Sequence, residues 1–385
     1  MKSLVPGKPI FNTEWHYVTH MGVPGVEGQL NFTPESYKLA YQRADPAYVR
    51  TAIWSAFLHG YSAGSLWDWA SEHYSGYCAL DLPRALESAG RTSLDLRRLT
   101  KEVTLFHKAP QEVAILFSMP SKLQNSAYLE QVKKFQSEGY DPGKIKAANS
   151  TSYSSPHVRE LKSVYGGLYF VDTNYGFVSE QQIQEDHLAK YRLLIIPAAD
   201  YVSDKTYRKI KDYVKDGGKV LIISSSLDHD ERGNERDISE LFQNGEDASL
   251  AGFPLRLSSL GKGEIYRMNS LAVNTDDSFP GQYLYIQEDQ YRKFFQGFLD
   301  KTGVERTFRI TDTGNGPIEG VEFRWVKSED GYRAYLINYN KKKVTVTLQR
   351  RGKDMETAKE LIGGNTISFP LEVKPLDPLL MKVER

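Results

Sequence analysis

The run Tyr191-Arg-Leu-Leu-Ile-Ile-Pro197 limits the possible folds of this chain more than any other segment, because apolar residues follow one another from Leu193 to Pro197. A run of this kind predicts a strand that is buried on both faces. An amphipathic helix is predicted from Ser203 to Asp216, and a second strand follows from Lys219 to Ser224. Buried strands separated by helices are typical of a parallel sheet that helices cover on both sides.

The same alternation extends over residues 111–303. Further strands are predicted at Glu112 to Ser118 and at Gly167 to Asp172, and helices at Tyr128 to Glu138 and at Asp289 to Thr302. The sequence therefore predicts a flavodoxin-like or amidotransferase-like parallel α/β domain.

Neither of the usual ligand chemistries of such a domain is supported here. No glycine-rich phosphate turn follows a strand, and the single cysteine of the chain, Cys78, lies outside this region. Ser224-Ser225-Ser226 with Asp228 and His229 contains the atoms of a serine triad, but residues this close along one strand exit rarely converge, and the G-x-S-x-G elbow is missing. A structural and oligomerising role is the better prediction.

From about residue 304 the hydrophobic pattern changes to a period of two. Predicted strands alternate with turn signals such as Glu329-Asp330-Gly331 and Gly363-Gly364-Asn365. These strands are Glu319 to Val326, Tyr332 to Asn338, Val344 to Gln349, Ile367 to Val373 and Leu379 to Val383. Residues 304–385 are therefore expected to form a small antiparallel β-sandwich. Its many aromatic residues could bind a sugar, although alternation favours packing in the core.

Residues 1–110 contain strand, loop and helix twice, the repeat of a β/α barrel. A short extended run from Lys8 ends at Glu14, and a helix with Pro46 at its first position runs from Ala47 to His59. A buried strand is predicted from Ala63 to Trp69, and Ser93 is expected to cap a helix from Leu94 to His107.

Glu14 is the strongest catalytic candidate. A glutamate at the carboxyl end of a barrel strand faces the mouth in which barrel active sites lie. Retaining glycosidases need a nucleophilic carboxylate and a second, general acid/base carboxylate about 5 Å away. Without its context, Glu14 could equally be an exposed loop carboxylate.

The context is the segment from Val49 through Trp54, Gly60 and Trp67 to Trp69. It resembles the seventh helix and eighth strand of clan A glycoside hydrolases, most closely glycoside hydrolase family 42, the β-galactosidases. The resemblance covers essentially all 385 residues in order. It implies the last two β/α units of a (β/α)₈ barrel at 1–110, an amidotransferase-like trimerisation domain at 111–303 and a β domain at 304–385.

The same resemblance implies a β-linked galactoside as substrate and roles for individual residues. Glu14 would be the nucleophile and Trp67 the floor of the catalytic subsite, with no metal or organic cofactor. Residues beside these two are candidates for contact with the sugar: Trp15, His16, Asp68, Trp69 and Glu72. Trp69 could equally pack under the loop. His59, at the apolar helix end, is expected to be a satisfied core or capping histidine.

The acid/base residue is missing. The resemblance places it in an Asn-Glu pair at the end of the fourth barrel strand, but Asn-Glu occurs here only at Asn234-Glu235, in a polar segment expected to be a solvated loop. We therefore expect the isolated chain not to turn over aryl β-galactosides. The alternatives are a non-catalytic assembly or carbohydrate-binding protein, or an unrelated α/β protein in which Glu14 is incidental.

Charge and composition exclude other classes of function. Lys and Arg total 49, as do Asp and Glu, so the chain has no field that would attract nucleic acid or an anionic membrane. One cysteine excludes an internal disulfide and a cysteine-clustered zinc site. No apolar run reaches the roughly 20 residues of a membrane span, and Met1 to Pro9 lacks the apolar segment of a signal peptide, which favours a cytoplasmic location.

Overall fold

The computed structural model describes residues 3–4, 7–15, 46–66, 83–123, 155–271 and 288–384. These residues form two compact units, one from Met1–Pro110 with Arg306–Arg385 and the other from Gln111–Glu305. Within the described ranges, no helix has both the length and the apolar character needed to cross a bilayer.

The described residues of the first part of the chain form two short parallel strands and three helices. In chain order they are β1 (Phe11–Trp15), α1 (Pro46–Leu58), β2 (Ala63–Leu66), α2 (Pro83–Arg98) and α3 (Thr100–Phe106). The prediction that Ser93 caps a helix was wrong. Ser93 lies inside α2, where its hydroxyl donates back to the carbonyl of Ala89 at 2.8 Å, so a helix-compatible bond satisfies it.

The unit Gln111–Glu305 is built on one seven-stranded sheet. Its elements are β3 (Val113–Phe117), α4 (Met119–Leu123), α5 (Pro156–Tyr169), β4 (Tyr175–Ser179), α6 (Glu180–Gln184), β5 (Leu193–Pro197), α7 (Asp204–Lys215), β6 (Lys219–Ile223), β7 (Glu246–Leu250), β8 (Phe253–Leu260), β9 (Gly263–Met268) and α8 (Glu288–Thr302). The strand order is β4-β3-β5-β6-β9-β8-β7. Helices pack on both sides, since the two faces of the sheet belong to two separate hydrophobic clusters.

The expected parallel sheet is only partly parallel. Strands β4, β3, β5, β6 and β9 are parallel, but β8 runs antiparallel to β9 and β7 antiparallel to β8. The sheet is therefore mixed, with an antiparallel hairpin at one edge. The predicted strand Gly167 to Asp172 was also wrong, because residues up to Tyr169 belong to α5, which begins with Ser155 as its cap and Pro156 at its first position.

The last part of the chain forms two antiparallel sheets. Its strands are β10 (Phe308–Thr311), β11 (Val321–Ser328), β12 (Gly331–Asn338), β13 (Val344–Arg350), β14 (Lys353–Asp354), β15 (Thr357–Glu360), β16 (Thr366–Ser368), β17 (Leu371–Val373) and β18 (Leu379–Val383). One sheet has the order β11-β12-β18-β15-β16, and the other has β10-β13-β14 with β17 also paired to β13. Residues of both sheets share one core, which makes a sandwich.

The five-stranded sheet is buried on both faces. Along β12, Ala334 and Leu336 point into the core of the sandwich. Tyr335 and Ile337 point to the opposite face, where they join the apolar residues of α1, α2 and α3 in a second core. Helices from the start of the chain thus form a third layer on the sandwich, so residues 1–110 and 306–385 share one unit.

Candidate active site

The two strands that carry the predicted site are hydrogen-bonded neighbours. β1 pairs with β2 in parallel, with Phe11 opposite Ala63, Asn12 opposite Gly64 and Trp15 opposite Leu66. In a parallel pair both carboxyl ends lie at the same edge. Glu14, the second-last residue of β1, therefore lies at the edge where β2 ends.

The pairing contains an irregularity at the residue of interest. The register shifts between Asn12 and Trp15, so that β1 uses one residue more than β2 over the same stretch. Glu14 lies within this bulged stretch. Bulges occur at barrel rims and beside active sites, where they redirect a side chain.

The remaining predicted contact residues lie beyond what the structure describes. Trp67 comes directly after Leu66, the residue that pairs with Trp15. Outside the described residues are the candidates Trp67, His16, Asp68, Trp69 and Glu72, and Trp15 is described as part of the β1 backbone.

The starts of both strands are tied together. The amide N–H of Ile10, just before β1, donates to Ser62 Oγ at 3.2 Å. The Ile10 carbonyl accepts from the amides of Ser62 at 2.8 Å and Ala63 at 3.3 Å. Ser62 follows the turn at the end of α1. The position of this turn therefore determines where β1 and β2 begin.

A buried acid lies under the same turn. Glu322 of β11 has a side chain with 0% exposure, and its Oε1 is 2.6 Å from Nε2 of His59. The hydroxyl of Tyr335 donates to Oε1 at 2.7 Å, and that of Tyr339 donates to Oε2 at 3.2 Å. His59 is thus a satisfied side chain, as expected. Sequence reasoning missed Glu322, because only the fold brings it to His59.

The electrostatics of this group follow from its partners. Burial alone would raise the pKa of Glu322, but the charge and hydrogen bond of His59, with smaller contributions from Arg324 and Tyr335, lower it to about 2 from 4.5. Burial raises the pKa of Tyr335 well above its usual value, and the neighbouring Glu322 carboxylate raises it further. Glu322 is therefore ionised and Tyr335 neutral at physiological pH.

In the α/β unit, hydrogen bonds join several residues at the sheet position where such sheets usually bind ligands. The strand order reverses between β3 and β5, which is where ligands of open α/β sheets bind. There the Ser118 hydroxyl lies 2.7 Å from Glu180 Oε1 and 2.9 Å from the Tyr201 carbonyl. His157 accepts from the Ser118 amide at 3.1 Å and donates to the Pro197 carbonyl at 2.6 Å. Burial lowers the pKa of His157, which is therefore neutral.

The serine cluster after β6 does not form a triad. The Ser225 hydroxyl donates to Asp228 Oδ2 at 2.6 Å, and that of Ser226 to the Ile223 carbonyl at 3.0 Å. Nδ1 of His229 is buried without a hydrogen-bond partner among the described atoms, and its ring stacks on Tyr201.

The Asn234-Glu235 pair and possible metal-binding clusters were also considered from the sequence. Asn234 and Glu235 are exposed, and Asn234 bonds Asp230 within its own loop, as expected of a solvated segment. In the parts of the chain with described coordinates, three or more His, Cys, Asp or Glu side chains nowhere gather as a metal site would require.

Comparison with known proteins supports the fold described above. Residues 111–237 match the family model of the β-galactosidase trimerisation domain. The apo exo-carrageenase GH42 of Bacteroides ovatus superimposes with a TM-score of 0.64 at 16% identity, over 100% of this chain and 43% of its own. This chain has the fold of the C-terminal portion of a glycoside hydrolase family 42 enzyme.

Two β-galactosidases give similar superpositions. That from Bacillus circulans sp. alkalophilus has a TM-score of 0.67 at 14% identity, over 99% of this chain and 56% of its own. That from the haloarchaeon Halorubrum lacusprofundi has a TM-score of 0.59 at 13% identity, over 100% and 55%. The chain thus spans about half the length of the family 42 structures that it matches. Among curated proteins, the sequence has no match.

Proposed function

We propose that this chain is part of a retaining glycoside hydrolase acting on β-linked galactosides, to which it contributes the nucleophile Glu14. The observation that carries the proposal is the parallel register of β1 and β2, which brings the bulge containing Glu14 to the edge where β2 ends, one residue before Trp67. This arrangement is compatible with the carboxyl rim of a (β/α)₈ barrel, where catalytic residues lie.

The isolated β1–β2 pair also supports a larger barrel. Within the described residues it forms a two-stranded parallel sheet, and Phe11 is 58% exposed. Parallel sheets are stable when neighbouring strands and helices cover them, and a lone two-stranded sheet is marginal. We infer that strands outside this pair complete the barrel.

In the proposed reaction the Glu14 carboxylate attacks the anomeric carbon while the bond to the leaving-group oxygen breaks. A general acid from outside this sequence protonates that oxygen, and the same residue then activates the water that releases the sugar from Glu14. The indole of Trp67 forms the subsite floor, and the contacts to sugar hydroxyls come from Trp15, His16, Asp68, Trp69 and Glu72.

The α/β unit has an assembly role in this proposal. Its family match is to a trimerisation domain, and Ser118 and His157 are engaged in hydrogen bonds at the sheet position where ligands usually bind. These observations also support the alternative function, a non-catalytic assembly or carbohydrate-binding protein, in which Glu14 has no chemical role.

Two aryl β-galactosides separate these functions. A nitrophenyl galactoside needs leaving-group protonation, which is worth about 10²–10⁴-fold in rate, whereas a dinitrophenolate leaves without it. We expect no turnover of the first substrate by the isolated chain and a single stoichiometric burst of dinitrophenolate from the second. Glu14→Gln should abolish the burst.

Glu87→Gln, at an exposed α2 position paired with Arg91, is the matched control and should keep the burst. Turnover of the nitrophenyl substrate that is lost in Glu14→Gln would contradict the missing acid. A chain that gives no burst would favour the non-catalytic alternative.

A further inference from the structure

One buried carboxylate of the sandwich bonds the residue that follows α1, the helix before β2. Glu322 lies on β11, and its side chain is completely buried among His59, Tyr335 and Tyr339. Of these, His59 comes from residues 1–110, directly after the last residue of α1, and it is 32% exposed. Glu322 thus joins the sandwich to the end of the helix that precedes β2.

From His59 a short series of bonds leads to both strands. The Gly60 amide donates to Phe57 at 3.0 Å, and Gly60 has a φ of 109°, a conformation suited to glycine. Two residues later, Ser62 exchanges bonds with Ile10, the residue before β1. Because Ala63 begins β2, a displacement of the His59 turn would move the start of both strands.

Other contacts between α1 and the sandwich act elsewhere on the helix. Arg50 pairs with Asp377, and both side chains are about one-third exposed. The Thr51 hydroxyl donates to the Leu376 carbonyl at 2.8 Å. These bonds fix the first turns of α1. At the other end of α1, His107 bonds the Phe57 carbonyl at 2.9 Å, and the Tyr61 amide donates to the Ala56 carbonyl at 3.1 Å. These bonds are made within residues 1–110, whereas Glu322 and Tyr335 of the sandwich contact His59 itself.

We propose that Glu322 is a positioning residue for the candidate active site. By holding His59 it fixes the turn from which β1 and β2 start, and so the edge at which Glu14 lies and Trp67 follows. This role rests on the proposed function for its catalytic consequence. Its structural part concerns only backbone order in the two strands.

Hydrogen exchange on the full chain tests the role. Glu322→Gln removes the buried charged carboxylate to which His59 and Tyr335 are hydrogen-bonded. Hydrogen bonds to charged groups are strong enough for us to expect amides of β1 and β2 to exchange about ten- to hundred-fold faster. Amides of β10 and β13, in the other sheet of the sandwich, should accelerate by a smaller factor than those of β1 and β2. Asp377→Asn, which removes the more exposed Arg50 contact, is the matched control and should leave β1 and β2 unchanged.

The proposal is overturned if amides of β1 and β2 exchange at wild-type rates in Glu322→Gln, or if these amides are unprotected in the wild type. It is also overturned if amides of β10 and β13 accelerate by the same factor, because that result would describe a global loss of stability. Should Glu322→Gln fail to fold, His59→Gln is judged by the same criteria. The dinitrophenolate burst should be slower in Glu322→Gln and unchanged in Asp377→Asn. If even the wild type gives no burst, the proposed function fails while the exchange comparison still decides the positioning role.

Discussion

The low pKa of Glu322 predicts a specific loss of stability. A carboxyl whose pKa falls from 4.5 to about 2 on folding stabilises the folded state at neutral pH by about 3 kcal/mol, at about 1.4 kcal/mol for each pH unit. Glu322→Gln removes the titrating group and leaves His59 without its charged partner. We therefore expect the variant to be about 3 kcal/mol less stable than the wild type at pH 6 to 7.

The sign of the pH dependence follows from the direction of the shift. Because the folded pKa lies below the unfolded one, the stabilisation is complete above about pH 4.5 and is lost as the pH falls towards 2. The free-energy difference between wild type and variant should therefore shrink over this interval.

Tryptophan fluorescence measures unfolding of the relevant unit selectively. The chain has 5 tryptophans, and all belong to the unit formed by Met1–Pro110 and Arg306–Arg385: Trp15, Trp54, Trp67, Trp69 and Trp325. Urea unfolding of wild type and Glu322→Gln at a series of pH values from 7 to 3 gives the difference directly. The control Glu87→Gln loses a surface ion pair and should differ from wild type by under about 1 kcal/mol. Parallel stability curves for wild type and Glu322→Gln would refute the ion-pair argument.

The α/β unit supports two more predictions. Burial, and secondarily the charge of Asp228, raises the pKa of Asp200 to about 6, so ionisation destabilises the fold as the pH rises from 3.8 past 6. Thermal unfolding should show that Asp200→Asn is about 1 kcal/mol more stable than the wild type at pH 8, a value that allows for solvent screening. The two proteins should be equally stable at pH 4. Equal stability at both pH values would contradict this prediction. Gly166→Ala should stabilise α5 by about 0.5–1 kcal/mol, because its Cβ meets open space. Gly167→Ala should destabilise by about 1–3 kcal/mol, because its Cβ would lie 2.7 Å from Phe295, and the reverse order would refute the packing.

Local sequence patterns were sufficient to predict many of the strands and helices. Leu193–Pro197 is buried at every position, as its uninterrupted apolar run predicts. Ser203 caps α7, accepting from the Thr206 amide at 3.2 Å. Such features depend on neighbours in sequence, so they can be predicted from it.

Features that depend on distant packing were misjudged. The apolar residues at the end of α5 suggest a strand when read alone, but α5 packs against the aromatic residues of α8, and Gly167 allows Phe295 to approach. The edge strand β7 carries the sequence Glu246-Asp-Ala-Ser-Leu250 and gives little apolar signal. Short apolar runs do not distinguish a helix from a strand without that context.

For the site, the sequence indicated the strand ends but not their support. Glu14 could be singled out because it stands at the end of a predicted strand, whereas Trp67 was assigned from the resemblance to family 42 glycoside hydrolases. Glu322 is 263 residues from His59, and a glutamate within a β-strand pattern is not distinguished from a solvent-facing one until the layer of α1 to α3 is known. Local sequence patterns therefore do not reveal that a separate layer of the fold positions a site.

Locating the covalently bound sugar tests most directly whether Glu14 is the nucleophile of a glycosidase. The chain is incubated with dinitrophenyl β-galactoside, quenched in acid, digested, and its peptides are examined by mass spectrometry. We predict one galactosyl group on the peptide containing Glu14, and none on that peptide in Glu14→Gln. A galactosyl group on another carboxylate, or an adduct that persists in Glu14→Gln, would contradict the assignment.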